Sequence, residues 1–222
     1  EAERARRAVS LPGSEAARLM AGSPTPSCWE RRPGDHDAFS VRIGFGTSPW
    51  TPETFGDLVG APEEVQRVIG SDLGLTHCAL GLTLRPGEPV AIVGPASEAR
   101  ALARSVLAQL AACHGPADLA LGAVVDRSAK ESWDWLAWLP HTVDRDGRST
   151  LAVTGPLADE LAQRLEPSAG GHAVVLLDDP AGMRARNSAS RHVLRRASHQ
   201  DGELSCIVVL GPADPVPATC RT

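Results

Sequence analysis

The sequence predicts an α/β fold in which a mostly parallel, doubly wound sheet carries helices on both faces. Continuous apolar runs at 173–177 and 206–210 are typical of strands that a parallel sheet buries on both faces. Between residues 78 and 210, strand-like and helix-like segments alternate, as they do in layered α/β proteins. At 222 residues the chain is long enough to bury one such core.

The first 27 residues are predicted to form a stalk-like helix and linker, and residues 28–222 to form the α/β domain. Residues 1–21 are charged and rich in alanine, which favours a helix, although Pro12 and its neighbours interrupt it. Glycine, serine and proline dominate 22–26, as in a linker. The sequence starts with glutamate rather than methionine, and we expect it to be a piece of a longer chain.

Alternating apolar and polar residues at 39–44 predict a strand with one buried face. Residues 45–61 are predicted to be loop, and 62–69 a short helix. Beyond them we expect strands at about 80–84, 89–93, 118–125, 149–154, 172–178 and 204–210, and helices at about 97–113, 131–138, 156–165 and 185–199. The strand that ends at Val93 is expected to lie centrally, beside the one that ends at Leu177.

Composition limits the possible functions. A net charge of −5 and an isoelectric point near 5.8 argue against a nucleic-acid surface. A local basic patch remains open, because five arginines cluster in the sequence: Arg184, Arg186, Arg191, Arg195 and Arg196.

The five cysteines contain no C-x-x-C pair, which predicts reduced thiols, and no histidine or cysteine spacing predicts a metal site. No apolar run reaches the length of a membrane span, and no signal peptide is apparent.

Residues 90–101 are arranged like a phosphate-binding loop, with an apolar strand, a glycine and then a long amphipathic helix. Compared with the pattern G-x-x-x-x-G-K-[ST], only Gly94 is retained. Ala99 replaces the second glycine, Arg100 the lysine, and Ala101 the hydroxyl that would hold Mg²⁺. The loop therefore lacks the groups that bind a triphosphate.

Two neighbours weaken this loop further. Pro95 has no backbone N–H to donate, and Glu98 places a carboxylate where the phosphates would lie. One interpretation is a plain turn from strand to helix. The other is a weak anion or nucleotide site that uses the helix start at Ser97 and the guanidinium of Arg100.

A second motif resembles a Walker B strand, in which a terminal aspartate helps to hold Mg²⁺. Asp178 and Asp179 follow four apolar residues at the end of a predicted strand. Without the lysine and the hydroxyl of the loop, we expect these two acids to face each other with no counter-cation. Capping of the turn that starts at Pro180 is the alternative role for either acid. The alternative low-affinity nucleotide site would contain Gly94, Ser97, Arg100, Asp178 and Asp179, with no resident cofactor and at most weakly bound ATP and Mg²⁺.

Residues 133–141 hold three of the five tryptophans of the chain. At helical spacing Trp135 and Trp138 share a face, and we expect both to be largely buried against the sheet. An exposed tryptophan would instead mark a surface for docking a partner.

Three segments resemble a known family: residues 28–44, residues 90–95, and above all Trp133-x-Trp135-x-x-Trp138-Leu139-Pro140-His141. They are similar to the FtsK/SpoIIIE-type ATPases of actinobacterial type VII (ESX) secretion systems, the EccC-like proteins, and to their relatives with forkhead-associated domains. The resemblance covers most of residues 28–215 and places them between the membrane segments and the first ATPase module.

The resemblance implies a degenerate, non-catalytic ATPase-like domain on the cytoplasmic side of the plasma membrane, in a membrane-anchored parent protein. Its implied partners are the ATPase modules of the same chain and the membrane components of the secretion complex. Oligomerisation is expected only in the parent, and no nucleic acid is expected. Two other hypotheses stay open: a weak NTPase completed by basic residues of a neighbouring subunit, and a module that docks partners through its tryptophans.

Overall fold

The structure is a computed structural model that describes residues 28–50, 60, 62–69, 73–164, 171–199 and 204–221. The predicted stalk-like helix and linker lie outside the described residues, so the division at residue 28 stays a prediction. Among the described helices, none is both long and apolar enough to cross a membrane.

A long antiparallel hairpin precedes the main sheet. It pairs β1 (Ser40–Trp50) with β2 (Leu73–Thr83), and α1 (Glu63–Ile69) lies between them in the chain, as predicted. Both strands extend further than expected, so the prediction of loop from residue 45 to residue 50 was wrong. The glycines and polar residues of the outer part of β1 gave no strand pattern in the sequence. Hydrogen bonds with β2 hold this part of the strand, and burial in the core does not.

The main sheet has five strands, all parallel: β3 (Val90–Val93), β4 (Leu119–Val125), β5 (Leu151–Val153), β6 (His172–Asp178) and β7 (Leu204–Leu210). Their spatial order is β3-β7-β6-β4-β5. The expectation that β3 lies centrally beside β6 was therefore wrong. Apolar runs show that a strand is buried, but they do not show which strand it pairs with, and β7 inserts between β3 and β6.

Helices cover both faces of the sheet, which confirms the predicted fold class. On one face α2 (Ala96–Cys113) packs its apolar stripe, including Val106 and Leu110, against the sheet. The other face is covered by α3 (Pro156–Arg164), α4 (Pro180–Arg184) and α5 (Ala189–Ala197). The helix expected at 185–199 is α5, which is shorter than predicted, and α4 before it was not predicted as a helix. The hydroxyl of Ser188 accepts the Arg191 N–H at 3.1 Å and starts α5.

The tryptophan segment is not the α-helix that was expected at 131–138. It consists of three short 3₁₀ turns at Arg127–Ser132, Asp134–Trp138 and Pro140–Thr142. A 3₁₀ helix has three residues per turn, so every third side chain lies on one face. That face buries Trp133, Leu136 and Leu139.

The same geometry overturns the prediction for the two tryptophans that share an α-helical face. Trp138 is 88% exposed. Trp135 is half-buried and packs on the edge of the core. The tryptophan that the fold buries is Trp133, which the sequence analysis did not select.

Candidate functional site at the carboxyl end of the sheet

The turn after β3 is too short to wrap a phosphate group. Helix α2 begins at Ala96, so only Gly94 and Pro95 separate it from the strand. The Gly94 N–H is already used, because it donates to the Leu210 carbonyl at 3.1 Å. A Cβ built on Gly94 would meet no atom within 4 Å, so no close approach requires a glycine there. This geometry supports the interpretation as a plain strand-to-helix turn.

The first turn of α2 adds little to a binding site. Ser97 and Glu98 are exposed, and no side chain caps the helix. The N–H groups of Glu98 and Ala99 already bond to the Pro95 carbonyl at 3.0 and 2.9 Å. The Glu98 carboxylate at this helix start is favourable to the helix and unfavourable to a bound anion.

Arg100 and Asp178 form an ion pair that joins α2 to the end of β6. Arg100 Nε donates to Asp178 Oδ2 at 2.7 Å, and Nη2 lies 3.4 Å from Oδ1. The Asp178 side chain is almost completely buried, whereas about a quarter of the Arg100 side chain is exposed. The expectation that the acids would lack a counter-cation is therefore wrong for Asp178, because the residue that replaces the lysine of the motif is its partner.

Trp133 completes this cluster from the 3₁₀ segment. Its indole Nε1 donates to Asp178 Oδ2 at 2.8 Å, so one carboxylate oxygen accepts from both an arginine and a tryptophan. The backbone carbonyl of Asp178 in turn accepts the Asp126 N–H at 2.7 Å. The carboxylate that would bind Mg²⁺ in a Walker B strand here accepts hydrogen bonds from protein donors. No part of the sequence pattern pointed to Trp133, because it lies 45 residues before Asp178 in the chain and only folding brings the two together.

Asp179 lies on the opposite side of the strand and serves a different purpose. Its Oδ1 accepts the Gly182 N–H at 2.9 Å, and its Oδ2 accepts the Ser190 hydroxyl at 2.6 Å. A Cβ at Gly182 would lie 1.8 Å from Asp179 Oδ2, so this close approach requires glycine. Asp179 caps α4, as the alternative interpretation of this motif predicted, and it does not join Asp178.

The five candidate residues therefore divide into separate groups. Arg100 and Asp178 are in contact, Gly94 lies in the turn before α2, Ser97 lies in the first turn of α2, and Asp179 points away. Within the described residues no group of three or more metal-ligating side chains comes together. Asp126, which follows β4 at the same edge, has its pKa lowered by hydrogen bonds from the Ser128 hydroxyl and backbone.

A second candidate surface lies over β5 and carries the exposed tryptophan. The 3₁₀ segment and β5 enclose a mainly apolar groove of about 200 Å³, lined in part by Trp133, Ala137, Leu151 and Val153. Trp138 is exposed in the same 3₁₀ turn as Ala137. An exposed tryptophan beside an apolar groove is typical of a docking surface.

Comparison with protein-family models found no match. Comparison with curated proteins found several secretion proteins of Mycobacterium tuberculosis. The ESX-4 secretion system protein EccC4 is 29% identical over 167 residues, which cover 69% of this chain and 13% of that protein. The ESX-3 protein EccC3 is 28% identical over 190 residues, 79% of this chain and 14% of that protein. The ESX-5 protein EccC5 is 32% identical over 139 residues, 57% of this chain and 10% of that protein.

Among solved structures, the cytoplasmic domain of the type VII secretion ATPase EccC from Thermomonospora curvata shares the fold. It superposes with a TM-score of 0.53 at 12% identity and covers 91% of this chain and 25% of that chain. The chain spans only 13% to 14% of the length of the first two curated relatives. By its sequence relatives, the chain is similar to a part of the EccC proteins, the FtsK/SpoIIIE-type ATPases of type VII (ESX) secretion.

Proposed function

We propose that this chain is a non-catalytic ATPase-like domain that serves assembly and coupling in a membrane-anchored type VII secretion motor. The observation that carries the proposal is the ion pair between Arg100 and Asp178. It occupies the position where a working P-loop enzyme holds lysine, Mg²⁺ and nucleotide.

The chemistry of this position supports a structural role. In P-loop NTPases the loop hydroxyl and the Walker B aspartate hold Mg²⁺, and the lysine contacts the phosphates. Here Ala101 offers no oxygen, and Asp178 already accepts from Arg100 and Trp133. A metal ion would have to displace a nearly buried guanidinium contact. The charges therefore hold α2, β6 and the tryptophan segment together without a ligand.

The relatives support the secretion part of the proposal. The chain corresponds to a small part of proteins named as ESX secretion system proteins. We propose that it lies on the cytoplasmic side of the plasma membrane, next to the ATPase modules of the same chain and to membrane components of the complex. A rigid block with a permanently closed site would transmit force and position without a nucleotide cycle.

Docking through Trp138 is a second candidate function, and its 88% exposure favours it. An indole ring that stays exposed to water loses the free energy that burial would provide. A partner that covers the ring best explains its exposure. This function is compatible with the first, because an assembly domain needs contact surfaces.

Calorimetric titration of ATP with Mg²⁺ into the chain tests the main proposal. We expect a dissociation constant no tighter than the high micromolar range, a binding free energy of roughly −5 to −6 kcal/mol, and no hydrolysis above background. The triple variant Ala99→Gly, Arg100→Lys, Ala101→Thr serves as a control and should not become a good enzyme, because Pro95 and Glu98 remain. A low-micromolar constant for the unaltered chain would instead support the weak NTPase that a neighbouring subunit completes.

A further inference from the structure

An exposed arginine surface lies on the side of the molecule opposite α2. From Pro180 to His199 the sequence contains five arginines, two histidines and no acidic residue, in a chain whose net charge is −5. The side chains of Arg186, Arg191, His192 and Arg195 are exposed, and we call these four residues the arginine face.

Local structure accounts for the other arginines of this stretch. Arg184 forms an ion pair with Asp214, and Arg196 Nη1 donates to the Ala162 carbonyl at 2.8 Å. Arg191 Nη1 reaches only a backbone carbonyl, that of Met183, at 3.1 Å. For Arg186 and Arg195 the described residues provide no carboxylate partner.

Helix electrostatics does not account for the arginine face either. Basic residues are favourable in the last turn of a helix, which suits Arg195. Arg186 and Arg191 lie instead just before and in the first turn of α5, where the helix dipole disfavours positive charge. The first turn contains no acidic residue that would compensate. The dipole of α5 therefore does not stabilise these two arginines. Arg191 is held by the Met183 carbonyl of α4, and the guanidinium of Arg186 remains exposed.

A polar groove continues the arginine face between α3 and α5. It has a volume of about 300 Å³ and is lined by Asp159, Ala162, Gln163, Asn187, Ser188, Ala189, His192 and Arg195. The amides of Gln163 and Asn187 can donate to and accept from a peptide backbone, whereas the Ser188 hydroxyl already caps α5. Asp159 is the single carboxylate among the lining residues.

We propose that the arginine face and this groove bind an acidic segment of a protein partner. Guanidinium groups pair with carboxylates through two parallel hydrogen bonds, and the groove amides bond the peptide backbone between them. A concave groove fits a peptide and not a flat lipid surface, and the acidic chain as a whole does not suit a nucleic acid. This surface would add a contact to the proposed coupling role, but it does not depend on the state of the Arg100–Asp178 site.

Fluorescence anisotropy with a short, fluorescein-labelled polyglutamate peptide tests the proposal. The double variant Arg191→Glu, Arg195→Glu should weaken binding about tenfold or more, because attraction becomes repulsion. The matched control Arg85→Glu, Arg145→Glu changes the net charge equally at two exposed arginines elsewhere, and it should weaken binding less than about threefold. If the double variant unfolds, Arg195→Glu alone replaces it, since no hydrogen bond or ion pair of its side chain is broken.

The groove is tested separately by Gln163→Ala with Asn187→Ala, which leaves the charge unchanged. We expect about a threefold loss, because two amides that bond the peptide backbone are removed. Equal binding by the arginine variant and its control would overturn the proposal. Tighter binding of double-stranded DNA, or of vesicles made from equal parts of phosphatidylglycerol and phosphatidylcholine, would also overturn it.

Discussion

At the scale of single residues, Asp178 shows how a carboxylate at the end of a parallel strand can be held by donors of the protein itself. Its carboxylate is nearly inaccessible to water and receives hydrogen bonds from Arg100 and Trp133. A buried carboxylate without partners is strongly destabilising, so both donors stabilise the fold. Loss of the lysine and the hydroxyl from the motif is thus accompanied by new internal partners for the remaining acid.

We expect Arg100→Ala to lower the free energy of unfolding by about 2–3 kcal/mol, because it leaves a buried carboxylate with one neutral donor. Urea denaturation monitored by circular dichroism would measure the loss. Arg104→Ala, in the next turn of the same helix, is the control and should change stability by less than about 0.5 kcal/mol. An Arg100→Ala variant as stable as the unaltered chain would show that the ion pair with Arg100 does not stabilise the buried Asp178 carboxylate.

At the scale of secondary-structure elements, the 3₁₀ segment decides which tryptophan is structural. Asp126 starts it by accepting the Ser128 N–H at 2.8 Å and the Ser128 hydroxyl at 2.6 Å. Leu139 then ends the second turn in an extended conformation before Pro140. The three-residue repeat turns Trp133 toward Asp178 and Trp138 toward solvent.

Truncating Trp133 and Trp138 to alanine should therefore affect the stability of the chain very differently. Trp133→Ala should cost about 3–5 kcal/mol, because it removes a buried ring and a hydrogen bond to Asp178. Trp138→Ala should leave the melting temperature of the chain within about 2 °C, because its ring is already in water. Thermal unfolding distinguishes the two variants.

In a longer parent protein, Trp138→Ala should weaken assembly of the proposed secretion complex if this surface docks a partner. Pull-down of the complex with the parent carrying Trp138→Ala or the unaltered tryptophan would measure this. Undiminished assembly would remove Trp138 from the proposed docking surface.

At the scale of the whole molecule, buried histidines attach the segment before β1 to the main domain. The Phe39 ring lies between the rings of His114 and His172, with centroid distances of 4.6 and 4.3 Å. His172 Nε2 lies 2.8 Å from the Ser205 hydroxyl on β7, and His141 Nε2 lies 2.8 Å from the His114 carbonyl. Burial lowers the pKa of all three histidines, and that of His172 to about 4.

These shifts make the stability of the chain depend on pH. The unfolded state binds protons at His172 below its ordinary pKa of 6.5, whereas the folded state resists protonation until about pH 4. The contribution of His172 to the free energy of unfolding is therefore complete above its ordinary pKa of 6.5. It decreases as the pH falls toward 4. Between pH 7.5 and pH 5 the loss from His172 should be about 2 kcal/mol.

Urea denaturation at these two pH values would measure the effect. His172→Gln should reduce the difference between the two free energies of unfolding by about 2 kcal/mol, because glutamine does not titrate. His36→Gln, at an exposed histidine, is the control and should leave the difference as it was. An unchanged difference in His172→Gln would mean that other groups dominate the acid response.

Much of the fold could be predicted because local patterns reflect burial directly. The apolar runs of β6 and β7 and the stripe of α2 were predicted within a few residues. The outer part of the β1–β2 hairpin could not, because Gly46 carries no apolar pattern and pairing with the distant β2 holds it in place. In the candidate site, the loss of the lysine was apparent, but the pairing of Arg100 with Asp178 was not.

By itself, the sequence determined the α/β class, the absence of a P-loop lysine and hydroxyl, and the resemblance to secretion ATPases, because these depend on residue types and on their order. Only the tertiary structure decided the edge position of β3, the turning of Trp138 to solvent, and the contact of Arg100 and Trp133 with Asp178. These features depend on which strands pair and on how many residues make a turn. Both are set by contacts between residues far apart in the chain, and the sequence does not carry them in any local pattern.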